Sequence, residues 1–262
     1  MDYISLYESL IRRIIKWTFS MWKYLGFYVI PKHFYSPIPD LKKLKNNNEI
    51  LKRKSGLIGI DLRVEEQKRF LMNVCKQYEG ELNFEDLKTI QGREPFIPNS
   101  SFSSVDADIL HCMIRHYRPN KMIEVGSGNS SLVAYRALRL NAQDNADEVN
   151  YTIVDPYPSS AVAEGLKNRV NVQRMKVEDC LVEELIQLAE NDILFIDSSH
   201  VVKTGGDVNY LFLEVMPRLA EGVIIHVHDI FLPYEYPKKW ILEDYHFWTE
   251  QYLLQALLCY SS

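Results

Sequence analysis

The stretch Ile123–Ser131, reading IEVGSGNSS, limits what this chain can fold into more than any other. The apolar residues Met122, Ile123 and Val125 suit a short buried strand. Gly126 and Gly128 then permit a tight turn and a close approach of backbone N–H groups to a ligand. From Ser130 to Leu140 the apolar spacing is helical, with a serine start that suits an N-cap. Strand, glycine turn and helix form the opening unit of a doubly wound α/β domain, with its ligand at the helix N-terminus. A dinucleotide fingerprint would carry a third glycine at position 131, where this chain has Ser131. Glu124, two residues before the first glycine, is the other distinctive feature.

Downstream, strand and helix patterns alternate as a parallel sheet requires. Strands are expected at Asn150–Val154, Val170–Met175, Asp192–Ile196 and Gly222–His228, and helices at Ser159–Asn168, Val182–Glu190 and Asp207–Leu219. A last helix is expected at Trp248–Leu258. Upstream, Val64–Gln77 and Ser104–Tyr117 read as helices and Pro95–Ser101 as a loop. Five strands in order 3-2-1-4-5 follow, with Asp155, Asp197 and Asp229 just past three strand tips. Asp155 suits a carboxylate that accepts the hydroxyl hydrogens of a ribose, or equally a turn former. It lies 27 residues after Gly128, against about 20 in the usual spacing, with the polar loop Asn141–Asn150 between them. Val177, Glu178 and Asp179 follow the third strand, where an adenine ring would be flanked.

The start of the chain is of another kind. Residues 1–54 hold eleven Lys/Arg against four Asp/Glu, so the net charge of −5 leaves an acidic body after them. That body argues against nucleic acid as a partner. The first 28 residues look helical, with Ile4, Tyr7, Ile11, Ile14, Met21 and Leu25 recurring and Arg12, Arg13, Lys16 and Lys23 on the other side. They fit a helix packed on its own domain or on a partner subunit, or one lying on a membrane surface. The uncharged stretch between Lys16 and Lys23 is too short to span a bilayer, and no signal-peptide pattern is present. The proline-set Pro31–Asp40 is expected to be extended, with Tyr35, Ser36 and Asp40 at the edge of a pocket. Leu41–Lys54 reads as a solvated loop or frayed helix. The expected division is therefore 1–60 as an N-terminal extension and 61–262 as the catalytic domain. Four separated cysteines, Cys75, Cys112, Cys180 and Cys259, fit a reducing compartment, and a cytoplasmic protein with optional membrane-surface contact is expected.

Read together, IEVGSGNSS, IVDPYP, ILFIDSSH and IHVHDI resemble, in this order, a single-domain O-methyltransferase-like subgroup of the class I S-adenosylmethionine-dependent methyltransferases. HFYSPIPD near the start and WTEQYLLQALL near the end are similar to the same subgroup. The resemblance implies a Rossmann-like methyltransferase fold and S-adenosylmethionine as cofactor. It also implies a small-molecule, sugar or natural-product hydroxyl as acceptor. Cofactor contacts are expected from Glu124, Gly126, Ser127, Gly128, Ser130, Asp155, Glu178 and Asp197. In metal-assisted relatives one Asp ends the fourth strand and another the fifth, the places of Asp197 and Asp229, which makes these two the candidate ligands of a divalent metal. The catalytic Lys three residues after the first Asp is His200 here, and the Asn after the second Asp is Ile230. Such folds normally add two more strands, so a shortened sheet, or a truncated form with an exposed fifth-strand edge, is expected.

The expected chemistry follows from the reaction. A hydroxyl attacks well only if its proton leaves as the bond forms, and a histidine near its ordinary pKa of about 6.5 suits that task. His200 is the expected general base, with Asp197 and Asp229 as its partners. His228, on the same face of the fifth strand as His226, is the next candidate. Two rivals remain: an NAD-dependent oxidoreductase, against which Ser131 counts, and a non-catalytic binding module on the same scaffold.

Overall fold

The computed structural model describes residues 3–30, 32, 34–47, 49–84, 87, 102, 104–145 and 150–259. The expected loop Pro95–Ser101 lies outside them, as do Pro31 and His33 of the proline-rich segment. Two compact units are present. One comprises Met1–Lys52 and Pro237–Phe247, the other Arg53–Tyr236 and Trp248–Ser262.

The first unit opens with α1, Tyr3–Tyr24, followed by α2, Leu41–Asn46, and α3, Glu49–Lys52. Two short helices thus stand where a loop or frayed helix was expected. Asp40 explains where α2 starts: its carboxylate accepts the N–H groups of Lys42 and Lys43, which have no partner inside the helix. No helix of the described residues is long and apolar enough to cross a membrane.

The second unit carries α4, Val64–Tyr78, and α5, Ser104–Tyr117, ahead of the alternating part. There β1, Met122–Val125, leads into α6, Asn129–Asn145. β2, Tyr151–Val154, leads into α7, Ser160–Gly165, capped by Ser159, and β3 is Asn171–Gln173. After α8, Val182–Leu185, come β4, Ile193–Ile196, α9, Asp207–Tyr210, and β5, Ile224–Val227. The first unit's Lys238–Leu242 is α10, and Glu250–Cys259 is α11. The strands form one parallel sheet in the expected order β3-β2-β1-β4-β5. This is the doubly wound α/β architecture expected from the sequence.

Alternation of side chains along each strand builds the two layers. Met122, Tyr151, Ile153, Ile193 and Phe195 face a cluster with Leu110 and Ile114 of α5 and Leu132 and Leu138 of α6. Ile123, Val125, Val154, Leu194 and Ile196 face the opposite layer, with Leu185, Val208, Phe212 and Leu253. Burying each such side chain contributes about 1.5–3 kcal/mol, so the sheet is held from both sides.

Three expected boundaries are corrected. The supposed polar loop Asn141–Asn150 is helical as far as Asn145, because Asn141 is buried and donates to the Ile114 carbonyl and accepts from Arg115. α8 stops at Leu185 rather than Glu190: the buried Asp192 carboxylate takes the Ala189 N–H and turns the chain into β4. The helix expected over Asp207–Leu219 becomes a π turn at Leu211–Val215 and a 3-10 turn at Met216–Arg218, where Pro217 cannot donate to a helical ladder.

Candidate active site at the strand tips

The turn after β1 can only be built with glycine at position 126. Its φ is +88°, and a Cβ there would lie 1.8 Å from the Asp197 carbonyl oxygen. The tips of β1 and β4 are therefore pressed together, and the chain leaves β1 over the start of α6. Beneath this turn Glu124 is fully buried. It accepts hydrogen bonds from Ser130 Oγ at 2.6 Å and from the Tyr151 hydroxyl. Burial pushes its pKa up to about 7, against the hydrogen bonds that favour the ionised form. Glu124 ties β1, β2 and α6 together from below, and it lines neither of the cavities above.

The larger cavity, about 600 Å³, lies over the ends of β1, β2 and β4. Its wall includes Gly126, Ser127, Asp155, Glu178 and Asp197 of the expected cofactor set. Asp155 is fixed at the β2 tip, accepting the Tyr157 N–H at 2.7 Å and the Ser127 hydroxyl at 2.5 Å. Val177 and Glu178, from the turn after β3, also line it, as do Ser198, Ser199, Lys203, Thr204, Gly205 and Asp207, whereas His200 and Asp229 line neither cavity. A second cavity of about 290 Å³ lies over the start of α6, lined by Phe102, Ser127, Gly128, Ser130, Ser159 and Asp197 among others. Ser127 and Asp197 belong to both walls, so the two cavities meet there. The volume of the larger cavity is in the ordinary ligand range, and the smaller one opens over the start of α6.

Past β4 and β5 the site changes character. His200, 5% exposed, has positive φ at 58°, an unusual setting for a non-glycine residue. Its Nδ1 lies 2.8 Å from Glu250 Oε2, and its Nε2 lies 3.2 Å from Asp197 Oδ1 and 3.9 Å from Asp229 Oδ2. Trp248 packs on the ring, with centroids 4.2 Å apart. Burial pulls the His200 pKa down, but the hydrogen bonds to Asp197 and Glu250 outweigh it and raise it to about 9. An imidazole that keeps its proton to that pH is an acid at neutrality. The role of general base expected of His200 therefore does not suit its surroundings. Asp229 is different: burial first of all raises its pKa, against the nearby histidines, which lower it.

His226 of β5 and His228 just past its end both lie against Phe195, with ring centroids 4.5 Å and 6.0 Å away. Burial drags the His226 pKa to about 4, so that ring is neutral. The buried His228 also contacts Phe102, and its Nε2, 3.7 Å from Asp229 Oδ1, makes no hydrogen bond among the described residues. Asp197, His200 and Asp229 can each offer one ligand atom within 4.8 Å of the others. This mixed oxygen and nitrogen set fits a divalent cation, and Glu250 on Nδ1 is the carboxylate that orients a metal-binding histidine.

Sequence reasoning missed Glu250 and Gln251. Glu250 is fully buried and holds His200, while its backbone N–H and that of Thr249 donate to the His200 carbonyl. Gln251 accepts the Phe231 N–H and donates to the Tyr234 carbonyl, fixing the loop after β5. A Glu-Gln pair on an apolar helix face was the signal, since buried residues of this type need partners.

Residues 123–230 match the family model described as a methyltransferase domain. The match covers β1 to the tip of β5, the part of the chain that carries the motifs of the resemblance. An uncharacterised protein of Archaeoglobus fulgidus is 33% identical over 144 residues, covering 52% of this chain and 62% of that relative. The chain therefore spans less than two thirds of its relative. The SAH-bound methyltransferase PaMTH1 of Podospora anserina is structurally similar at a TM-score of 0.41 and 19% identity, over 74% of this chain and 83% of that one.

Proposed function

We propose that this chain transfers the methyl group of S-adenosylmethionine to a hydroxyl of a small molecule, with sugars and natural products as the acceptor class. The observation that carries this reading is the pair of cavities meeting at Ser127 and Asp197, with Asp155 fixed at the β2 tip. Asp155 would accept the ribose hydroxyls, and Val177 and Glu178 would flank the base. The N–H groups at the start of α6 would face the carboxylate of the amino-acid tail. When bound, the cofactor supplies a methyl group on a cationic sulfur, and the displacement leaves the thioether while the acceptor gains the methyl. The chain's own contribution is to align the two reactants and remove the hydroxyl proton. Asp229 is the proposed acceptor of that proton. His200, held as imidazolium between Asp197 and Glu250, would keep Asp197 in place.

A second reading has its own support in the three convergent ligand atoms. Asp197, His200 and Asp229 would then hold a divalent metal, which would lower the pKa of a hydroxyl bound to it. His200 would have to give up its Nε2 proton. Mass spectrometry of hydroxylated acceptors incubated with methyl-labelled cofactor, with and without chelator, tests both readings. Label on acceptor oxygen supports the function, and loss of label with chelator selects the metal reading. Cofactor binding with no label on any acceptor would favour the non-catalytic module.

A further inference from the structure

The long first helix presents a feature that the catalytic reading does not use. Leu10, Ile14, Trp17, Met21 and Tyr24 recur at the spacing that places residues along one side of a helix. All five are exposed, Trp17 to 86% and Tyr24 to 91%. On the same helix the less exposed residues are Ile11, Ile15, Thr18 and Trp22, which mark a different face. There the Trp22 indole N–H donates to the Thr18 hydroxyl, so that face satisfies its own polar groups. The apolar stripe continues past the helix into exposed Phe27, Tyr28 and Phe34. A large apolar patch of this kind marks an interaction surface.

Charge decides between the occupants. Between Glu8 and Asp40 the sequence has no Asp or Glu, yet carries Arg12, Arg13, Lys16, Lys23 and Lys32. The helix positions of Arg13, Lys16 and Lys23 lie to one side of the stripe. Pairing this face with a second copy would gather these cations with no acidic partner in the segment. An anionic lipid surface supplies the missing negative charge. It also accepts Trp and Tyr at headgroup level, with ring bodies in the apolar layer and polar tips in water. The helix cannot cross the bilayer, so it would lie in the interface.

We propose that the Leu10–Tyr24 face of α1 docks the protein on an anionic membrane surface, held by the aromatic stripe and by the basic residues beside it. Binding is reversible and salt-sensitive, because a helix of this type depends on both apolar burial and charge.

The test is co-sedimentation of the full chain with vesicles of phosphatidylcholine alone and of phosphatidylcholine with phosphatidylserine. Wild type should bind the anionic vesicles and release with added salt. The paired substitution W17S/Y24S should weaken binding at least about tenfold. K16Q/K23Q should weaken it about fivefold per lysine, which corresponds to about 1 kcal/mol each. Unchanged circular dichroism confirms that the variants fold. Absence of vesicle binding by wild type overturns the proposal, as does binding that neither pair of substitutions alters. So does a dimer mass that W17S/Y24S converts to monomer with vesicle binding unchanged, which would assign the stripe to a second copy. A wild type that binds vesicles only after cleavage before residue 53 would assign the stripe to the rest of the chain and equally overturn it.

Discussion

The two halves of the strand-tip surface are built by different means. At β1 and β2 the geometry comes from backbone and near neighbours. Gly126 turns the chain, Ser127 and Tyr157 fix Asp155, and Ser130 reaches back to Glu124. At β4 and β5 it comes from afar. His200 is positioned by Glu250, fifty residues away along the chain, and the loop after β5 by Gln251 beside it. The first half is a glycine turn beside a carboxylate held by its near neighbours. The second is a compact group of charges whose protonation depends on all of its members. The β1–β2 half can be rebuilt from a short motif, while the β4–β5 half depends on a tertiary contact that α11 supplies.

Asp229→Asn should have the largest effect, because it removes the proposed proton acceptor while leaving the β1–β2 half intact. Turnover should fall about 10²–10⁴-fold in steady-state kinetics, with cofactor affinity retained. Equal losses in both quantities would mean that the two halves are not separable.

Glu250→Ala sharpens the comparison from the other side. It leaves the buried His200 charge without its principal distant partner, and a broken buried pair costs about 3–5 kcal/mol. Chemical denaturation should register this loss, whereas an effect below about 1 kcal/mol would show that the second half does not depend on α11.

The two glycines of the first turn separate strain from contact. Gly126→Ala meets the Asp197 carbonyl and an unfavourable φ together, so it should destabilise by about 3 kcal/mol or more. Nothing lies within 4 Å of a Cβ at Gly128, so Gly128→Ala should change stability by about 0.5 kcal/mol or less and act only on ligand affinity. Thermal melts of both variants, followed by titration with cofactor, would reveal a reversed order.

A pH dependence of stability is also expected, and it belongs to the second half. The His200 pKa is raised from 6.5 to about 9 in the folded chain. Its stabilisation is therefore complete below pH 6.5 and is lost as pH rises through 9. In metal-free protein, denaturation free energy should decline across that window, and His200→Gln should flatten the decline. An unchanged slope in the variant would mean that His200 does not hold its proton as described.

Legibility in the sequence followed the same division. Strand order, the glycine turn and the positions of Asp155, Asp197 and Asp229 could be read because each rests on local period or on a turn at a strand end. The seven expected cofactor residues that line the cavities are of this kind. Glu124 was recognisable as unusual, but its burial against Tyr151 arises from β1–β2 pairing, which no short window contains. The raised pKa of His200 was hidden for a related reason: an ordinary histidine pKa assumes solvent, whereas this ring is buried and bonded to Asp197 and to Glu250 of a distant helix. The ends of α8 and α9 were missed where Asp192 and Pro217 override apolar periodicity.

The central claim is that the β1–β2 half holds S-adenosylmethionine through Asp155. Calorimetric titration of the cofactor into wild type and Asp155→Ala tests it most directly. The account predicts binding at one site in wild type. Loss of a hydrogen bond to a charged group costs about 1.5–3 kcal/mol, so the variant should bind at least about tenfold more weakly. Equal affinity in the two proteins, or no binding by the wild type, would contradict it.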